Sequence, residues 1–153
     1  METIFTYAER MGAEVSRLWA SESNRLDALP DVALKTLETF SPDQALQLTR
    51  ITEDIATTKQ LPRQRAGGRS FGQPPLTLYN EPDGRFFIEL YLWSETDMTI
   101  HDHPFTGAFS VLNGDCNNDT FTFNATAGDQ SVQIGQLDLL SAETMRFIHN
   151  VAR

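Results

Sequence analysis

The sequence predicts a mainly β domain, a sandwich or barrel, preceded by an α-helical N-terminal segment. Three observations predict it. Apolar residues recur at helical spacing up to about residue 58 and at strand-like spacing from residue 76 onward. Turn residues divide the second half into short runs at roughly ten-residue intervals, the pattern of an all-β architecture. All three histidines of the chain fall in that second half, two of them at strand spacing.

The helical part contains three predicted elements. Ile4, Tyr7, Ala8, Met11, Val15 and Leu18 recur at three- and four-residue steps and mark one apolar face. A second, short helix is expected to start at Pro30, whose fixed φ suits a first helical position, and to carry Ala33, Leu34, Leu37 and Phe40. A third is expected from Ser41 as cap, with Pro42 in the first turn and Gln44 reaching back as in a capping box. Ala45, Leu48, Ile51, Thr52 and Ile55 form its apolar face. These faces read as packing surfaces.

Residues 59–75 read as a linker rich in glycine, proline and arginine, and a solvated loop is the expectation. Four of the twelve basic residues, Lys59, Arg63, Arg65 and Arg69, lie in it, so it could also rest on acidic surface or cover a pocket mouth. Beyond it, strands are expected at 76–79, 86–93, 106–112, 120–123, 131–134 and 146–151. Turns are expected at residues 80–84 and 127–129, and Asn113-Gly114 is a hairpin signal.

Composition excludes several classes. The chain has 153 residues, 40% hydrophobic and 22% charged, which fits one soluble domain. A net charge of -9 disfavours a nucleic-acid surface, and no apolar run approaches the roughly 20 residues of a membrane span. The N-terminus is unlike a signal peptide, and the one cysteine, Cys116, cannot form an internal disulfide. A cytoplasmic location is therefore expected. Asn118 and Asn124 begin glycosylation-type triplets but read as strand and turn residues.

The candidate chemistry lies with the histidines. In an extended segment, residues two apart point to the same side, so His101 and His103 share a face and Asp102 points away. Pro104 biases His103 toward extended backbone. His149, from another predicted strand, would complete a three-imidazole set suited to iron, zinc, copper or nickel. Asp102 reads as an orienting or turn residue, since metal-bound histidines commonly have a hydrogen-bond partner.

The run from His101-Asp102-His103-Pro104 to Asn113-Gly114 resembles the first motif of the cupin superfamily, a His-x-His pair with a glycine after the next strand. Gly107 or Ala108 stands where many cupins carry a glutamate ligand. Losing that carboxylate while keeping three histidines resembles the cysteine dioxygenase-like, or thiol dioxygenase, branch. Asp83-Gly84-Arg85-Phe86, Leu90-Tyr91-Leu92-Trp93 and His149-Asn150-Val151 are similar to further segments of that branch. The resemblance covers residues 76–153.

It implies a cupin double-stranded β-helix, or jelly roll, over 76–153, with residues 1–58 packed on it. The chain stops four residues after His149, so two expectations stand: a barrel lacking its last strand or strands, as in a fragment of a longer protein, or a short variant that closes differently. The implied site is a mononuclear non-haem Fe(II) held by His101, His103 and His149, with zinc or nickel as alternatives. Its substrates would be O2 and a small thiol or related metabolite. Tyr91 and Trp93 share strand parity and, with Ala108, are the expected pocket wall, although ordinary core is an equal reading of the two aromatics. The branch's carboxylate-gripping arginine would fall near residues 78–80, where there is none, leaving Arg69, Arg85 and Arg146 as candidates. A homodimer paired through sheet edges is also implied. Two alternatives stay open: a non-catalytic binding or sensing module, and an enzyme using another metal for another reaction.

Overall fold

The computed structural model describes residues 2–65, 75–92, 106–123, 132–141 and 144–147, with 115–123, 132–141 and 144–147 taken as backbone and register. The chain begins with helix α1 (Ile4–Ser21), capped by Thr3, whose hydroxyl accepts from the Thr6 N–H at 3.2 Å. Its buried side chains follow the helical repeat: Ile4, Tyr7, Ala8, Met11, Val15 and Trp19. Ser23 and Asn24, both at positive φ, end it, and the Asn24 N–H returns to the Trp19 carbonyl. The indole N–H of Trp19 in turn donates to the Arg25 carbonyl at 2.6 Å.

Helix α2 (Leu29–Phe40) has proline in its first turn, as expected, but buries Leu29, Pro30, Val32 and Thr36. The predicted face of Ala33, Leu34, Leu37 and Phe40 is only half-buried. The reason is tertiary: α2 touches α1 and also the strands at Gly107–Ser110 and Thr144–Phe147, so its environment is not one-sided.

The third predicted helix is two helices. Ser41 adopts the left-handed conformation (φ 48°), its hydroxyl donates back to the Glu38 carbonyl, and it makes no side-chain cap for the next turn. That single turn, α3 (Pro42–Ala45), leads through extended Leu46 into α4 (Leu48–Thr57). The break sends Leu46 into an apolar cluster with Ile4, Ala8, Ile51, Leu78 and Leu90.

Strands β1 (Leu76–Asn80) and β2 (Phe87–Leu90) form an antiparallel ribbon against α1. Its turn is closed by Gly84 at φ 72° and by the Glu81 N–H bonding to the Phe86 carbonyl. Gly12 permits the close approach, because a Cβ there would overlap the Tyr79 ring. Tyr79 touches the apolar cluster around Ile4 and also a second one formed by Val15, Trp19, Leu29, Val32 and Phe86. Burying each large aliphatic side chain contributes about 1.5–3 kcal/mol, and both clusters stabilise the helical half in this way.

The remaining strands are β3 (Gly107–Ser110), β4 (Asp115–Phe123), β5 (Val132–Ser141) and β6 (Thr144–Phe147). β3 pairs antiparallel with β6, and β4 with β5. The two pairs are nested, so the chain runs out along β3 and β4 and back along β5 and β6. Gly114, at φ 85°, therefore bends the outgoing chain, and the strands on either side of it do not pair with each other as a hairpin.

The mainly β expectation, and with it the cupin double-stranded β-helix lacking a last strand, is corrected. Among the described residues, helix outweighs strand, and every sheet has two strands. A jelly roll needs two sheets packed face to face. Here the ribbons β1–β2 and β3–β6 lie against the helices α1 and α2 instead, an α+β arrangement. Among the described residues, no helix is long and apolar enough to cross a membrane.

Candidate functional site

The structure treats the sequence-predicted site residues unequally. His101, His103, His149 and Trp93 lie outside the described residues. Ala108 is half-buried on β3, opposite Arg146 of β6. Tyr91 directly follows β2 and is 41% exposed, and its hydroxyl donates to Glu89 Oε2 at 3.0 Å. Tyr91 and Ala108 thus belong to different ribbons, one against α1 and one against α2. Among the described residues, no three His, Cys, Asp or Glu side chains form a group able to hold a metal ion.

The register of the β3–β6 ribbon bears on the histidine segments through connectivity. Gly107 pairs with Phe147, Ala108 with Arg146 and Ser110 with Thr144. The Gly107–Phe147 end of this ribbon is where the chain arrives from His101 and His103 and departs toward His149.

The described residues do assemble a polar cluster on β2. Phe87 and Glu89 alternate along the strand, Tyr91 follows it, and Arg65 reaches across Phe87 and Glu89. The Arg65 guanidinium lies over the Phe87 ring, 3.4 Å from its centroid, and 3.5 Å from Glu89 Oε1. Glu89 is almost fully covered, with 6% of its side chain exposed, and so receives Arg65 and Tyr91 on its two oxygens. Burial, reinforced by the Glu89 carboxylate, pushes the Tyr91 phenol up to about 12. Tyr91, a donor in the neutral range like any tyrosine, therefore stays a hydrogen-bond donor to Glu89 well into the alkaline range.

Sequence reasoning missed Glu89, and it singled out Arg65 only as one of four basic residues of a stretch that could rest on acidic surface. The legible signal was Glu89 itself, the one charge inside the apolar run 86–93. Of the three candidate arginines, Arg85 is already engaged: its guanidinium bonds Glu81, which also accepts from the Asp83 and Arg85 N–H groups at 2.9 and 3.1 Å. Arg69 lies outside the described residues, and Arg146 is described by backbone alone.

A surface cleft of about 540 Å³ separates the end of α1 from the start of α2, with Glu22, Asp27, Asp31, Arg25 and Lys35 on its walls. Arg25 and Asp27 satisfy each other there through two hydrogen bonds. Comparison with protein-family models, with curated proteins and with solved structures gives no match to this chain.

Proposed function

We propose that this chain binds a divalent metal ion through His101, His103 and His149 and, loaded with ferrous iron, oxidises a small thiol or related metabolite with O2. The observation that supports the reading is the β3–β6 register. His103 precedes Gly107 by four residues and His149 follows Phe147 by two, and Gly107 and Phe147 are paired. Chain reach is at most about 3.6 Å per residue, so both segments are tethered to one ribbon end although 46 positions separate them in sequence.

The donor set fits such an ion: neutral imidazoles suit iron, zinc and nickel alike. Three neutral ligands leave Fe(II) its full charge, and the bound ion would supply open positions for a thiolate and dioxygen. Holding the ion is the part assigned to the three histidines. Zinc or nickel in the same site would support a different reaction.

Metal analysis of the purified chain, together with oxygen uptake in the presence of thiols with and without a carboxylate, tests this. His149→Ala is expected to lose most of the bound metal, and unchanged metal content would reject the three-histidine set. One observation favours a second reading. Among the described residues, Phe87, Tyr91 and Leu92, on and just after β2, are exposed. A metal-dependent but non-catalytic binding or sensing module would hold the ion and consume no oxygen.

A further inference from the structure

One edge of β1 pairs with β2, and residues 61–65 run along the other. Among the described residues, no backbone-to-backbone hydrogen bond joins this segment to β1. Side chains make the connection. Gln64 Nε2 donates to the Thr77 carbonyl at 3.1 Å, and the Thr77 N–H donates to Gln64 Oε1 at 2.9 Å. A single primary amide thus reproduces the donor and acceptor that a residue of a neighbouring antiparallel strand presents. Asn80 Nδ2 donates to the Arg63 carbonyl at 2.8 Å, and the Arg65 N–H reaches Thr77 Oγ1 at 3.4 Å. One residue beyond Gln64, the Arg65 guanidinium covers Phe87 and meets the shielded Glu89 carboxylate.

We propose that the outer edge of β1 is a strand-addition site for an extended basic peptide of a partner protein, and that residues 61–65 are the chain's own stand-in holding it closed. The stand-in defines the partner's chemistry. Thr77 presents an N–H and C=O pair on that edge, which selects extended backbone. Phe87 and Glu89 select an arginine beside the residue that faces Thr77, by stacking and by charge. The net charge of -9 favours the approach of a basic segment over an acidic one. An incoming strand offers its own main chain to this edge, where the stand-in offers side chains, and this is the advantage by which it displaces residues 61–65.

The test is fluorescence anisotropy with a labelled heptapeptide of alternating valine and arginine, on the full chain. The double variant Gln64→Ala/Arg65→Ala is expected to bind it about tenfold more tightly than the native chain. Adding Glu89→Gln should abolish the gain, and a peptide with glutamate in place of arginine should not bind. Equal binding by the native chain and the double variant overturns the proposal, as does retention of the gain with Glu89→Gln. Doubling of the double variant's mass in sedimentation without peptide binding assigns the edge to a second copy and also overturns it. Asn80→Ala frees Arg63 while leaving Thr77 and Glu89 intact. It is expected to tighten binding in the same direction by a smaller factor, and its failure to do so counts against the proposal even where the double variant does not fold.

Discussion

Helices α2 and α4 are both held against α1, α2 by apolar packing and α4 by Ile51 in the cluster around Ile4 together with a polar latch. α2 is docked by apolar packing: Leu29 and Val32 join Val15 and Trp19, and Phe86 meets Trp19 edge-on at 6.2 Å between ring centroids. α4 buries only Ile51 and Asp54. The Asp54 carboxylate accepts the Ile4 N–H at 2.8 Å, at the positive end of the α1 dipole, and binds Arg50 at 3.0 Å. Apolar docking spreads its energy over many atoms and depends little on solution conditions. The polar latch beside Ile51 adds a contribution concentrated in one carboxylate, whose removal strands a buried N–H. The ribbon turn follows the second pattern, with Glu81 gripped by Arg85 while the Arg85 guanidinium lies 5.2 Å from the Trp19 ring.

The apolar contact carries the largest expected effect. Trp19→Ala should cost about 3–5 kcal/mol, measured by denaturant unfolding, because it empties the centre of the α1–α2 contact. A loss below about 1 kcal/mol would mean that this cluster is not what docks α2. Asp54→Ala should cost about 2–3 kcal/mol by the same measurement, from loss of charge-assisted bonds to a buried partner. Hydrogen exchange should then rise in α4 and the first turn of α1 while α2 stays protected. Uniform exchange across all helices would show that α4 has no latch of its own.

Acid separates the two kinds of docking further. The Arg85 guanidinium, with the N–H groups of Asp83 and Arg85, holds the Glu81 carboxyl below the usual carboxylate range. A carboxyl depressed in the folded state adds stability that is fully present above its unfolded pKa, about 4.3, and is lost as pH falls through the folded value. Glu81→Gln should therefore cost about 1–2 kcal/mol at neutral pH. Its stability should fall less steeply than that of the native chain below about pH 4.3. Parallel pH curves for the two proteins would remove Glu81 from the latch. The smallest effect is expected from Thr3→Ala, which removes the local cap of α1 but leaves Asp54 on the Ile4 N–H, at about 0.5–1 kcal/mol. A cost matching that of Asp54→Ala would reverse the order of local and long-range capping.

Much of the fold is legible at the level of single elements. The apolar repeat from Ile4 to Val15 marks the α1 face that is buried, and Asp83-Gly84 marks the turn between β1 and β2. The third predicted helix is not legible, because Ser41 and Pro42 look like a start signal whether or not Leu46 is drawn into a core. Asn113-Gly114 misleads in the same way. Its positive φ at Gly114 is real, but what pairs with the strands beside it is decided some thirty residues away. Of the candidate site, the histidine spacing is a sequence property, whereas the Arg65–Glu89 contact joins positions 24 apart that no local pattern connects.

Sequence alone specifies that α1 forms and which of its faces is apolar, that proline opens α2, and where the backbone turns at glycine. These follow from steric and hydrophobic rules that act within a few residues. Tertiary packing settles that β3 pairs with β6 and β4 with β5, that α2 is touched from two sides, that Gly12 receives the Tyr79 ring, and that Asp54 caps a helix 50 residues away. Strand propensity is indifferent to partner. Whether strands close on one another as a barrel or lie in pairs against helices is set by which apolar surfaces meet, and that choice is made between segments distant in the chain.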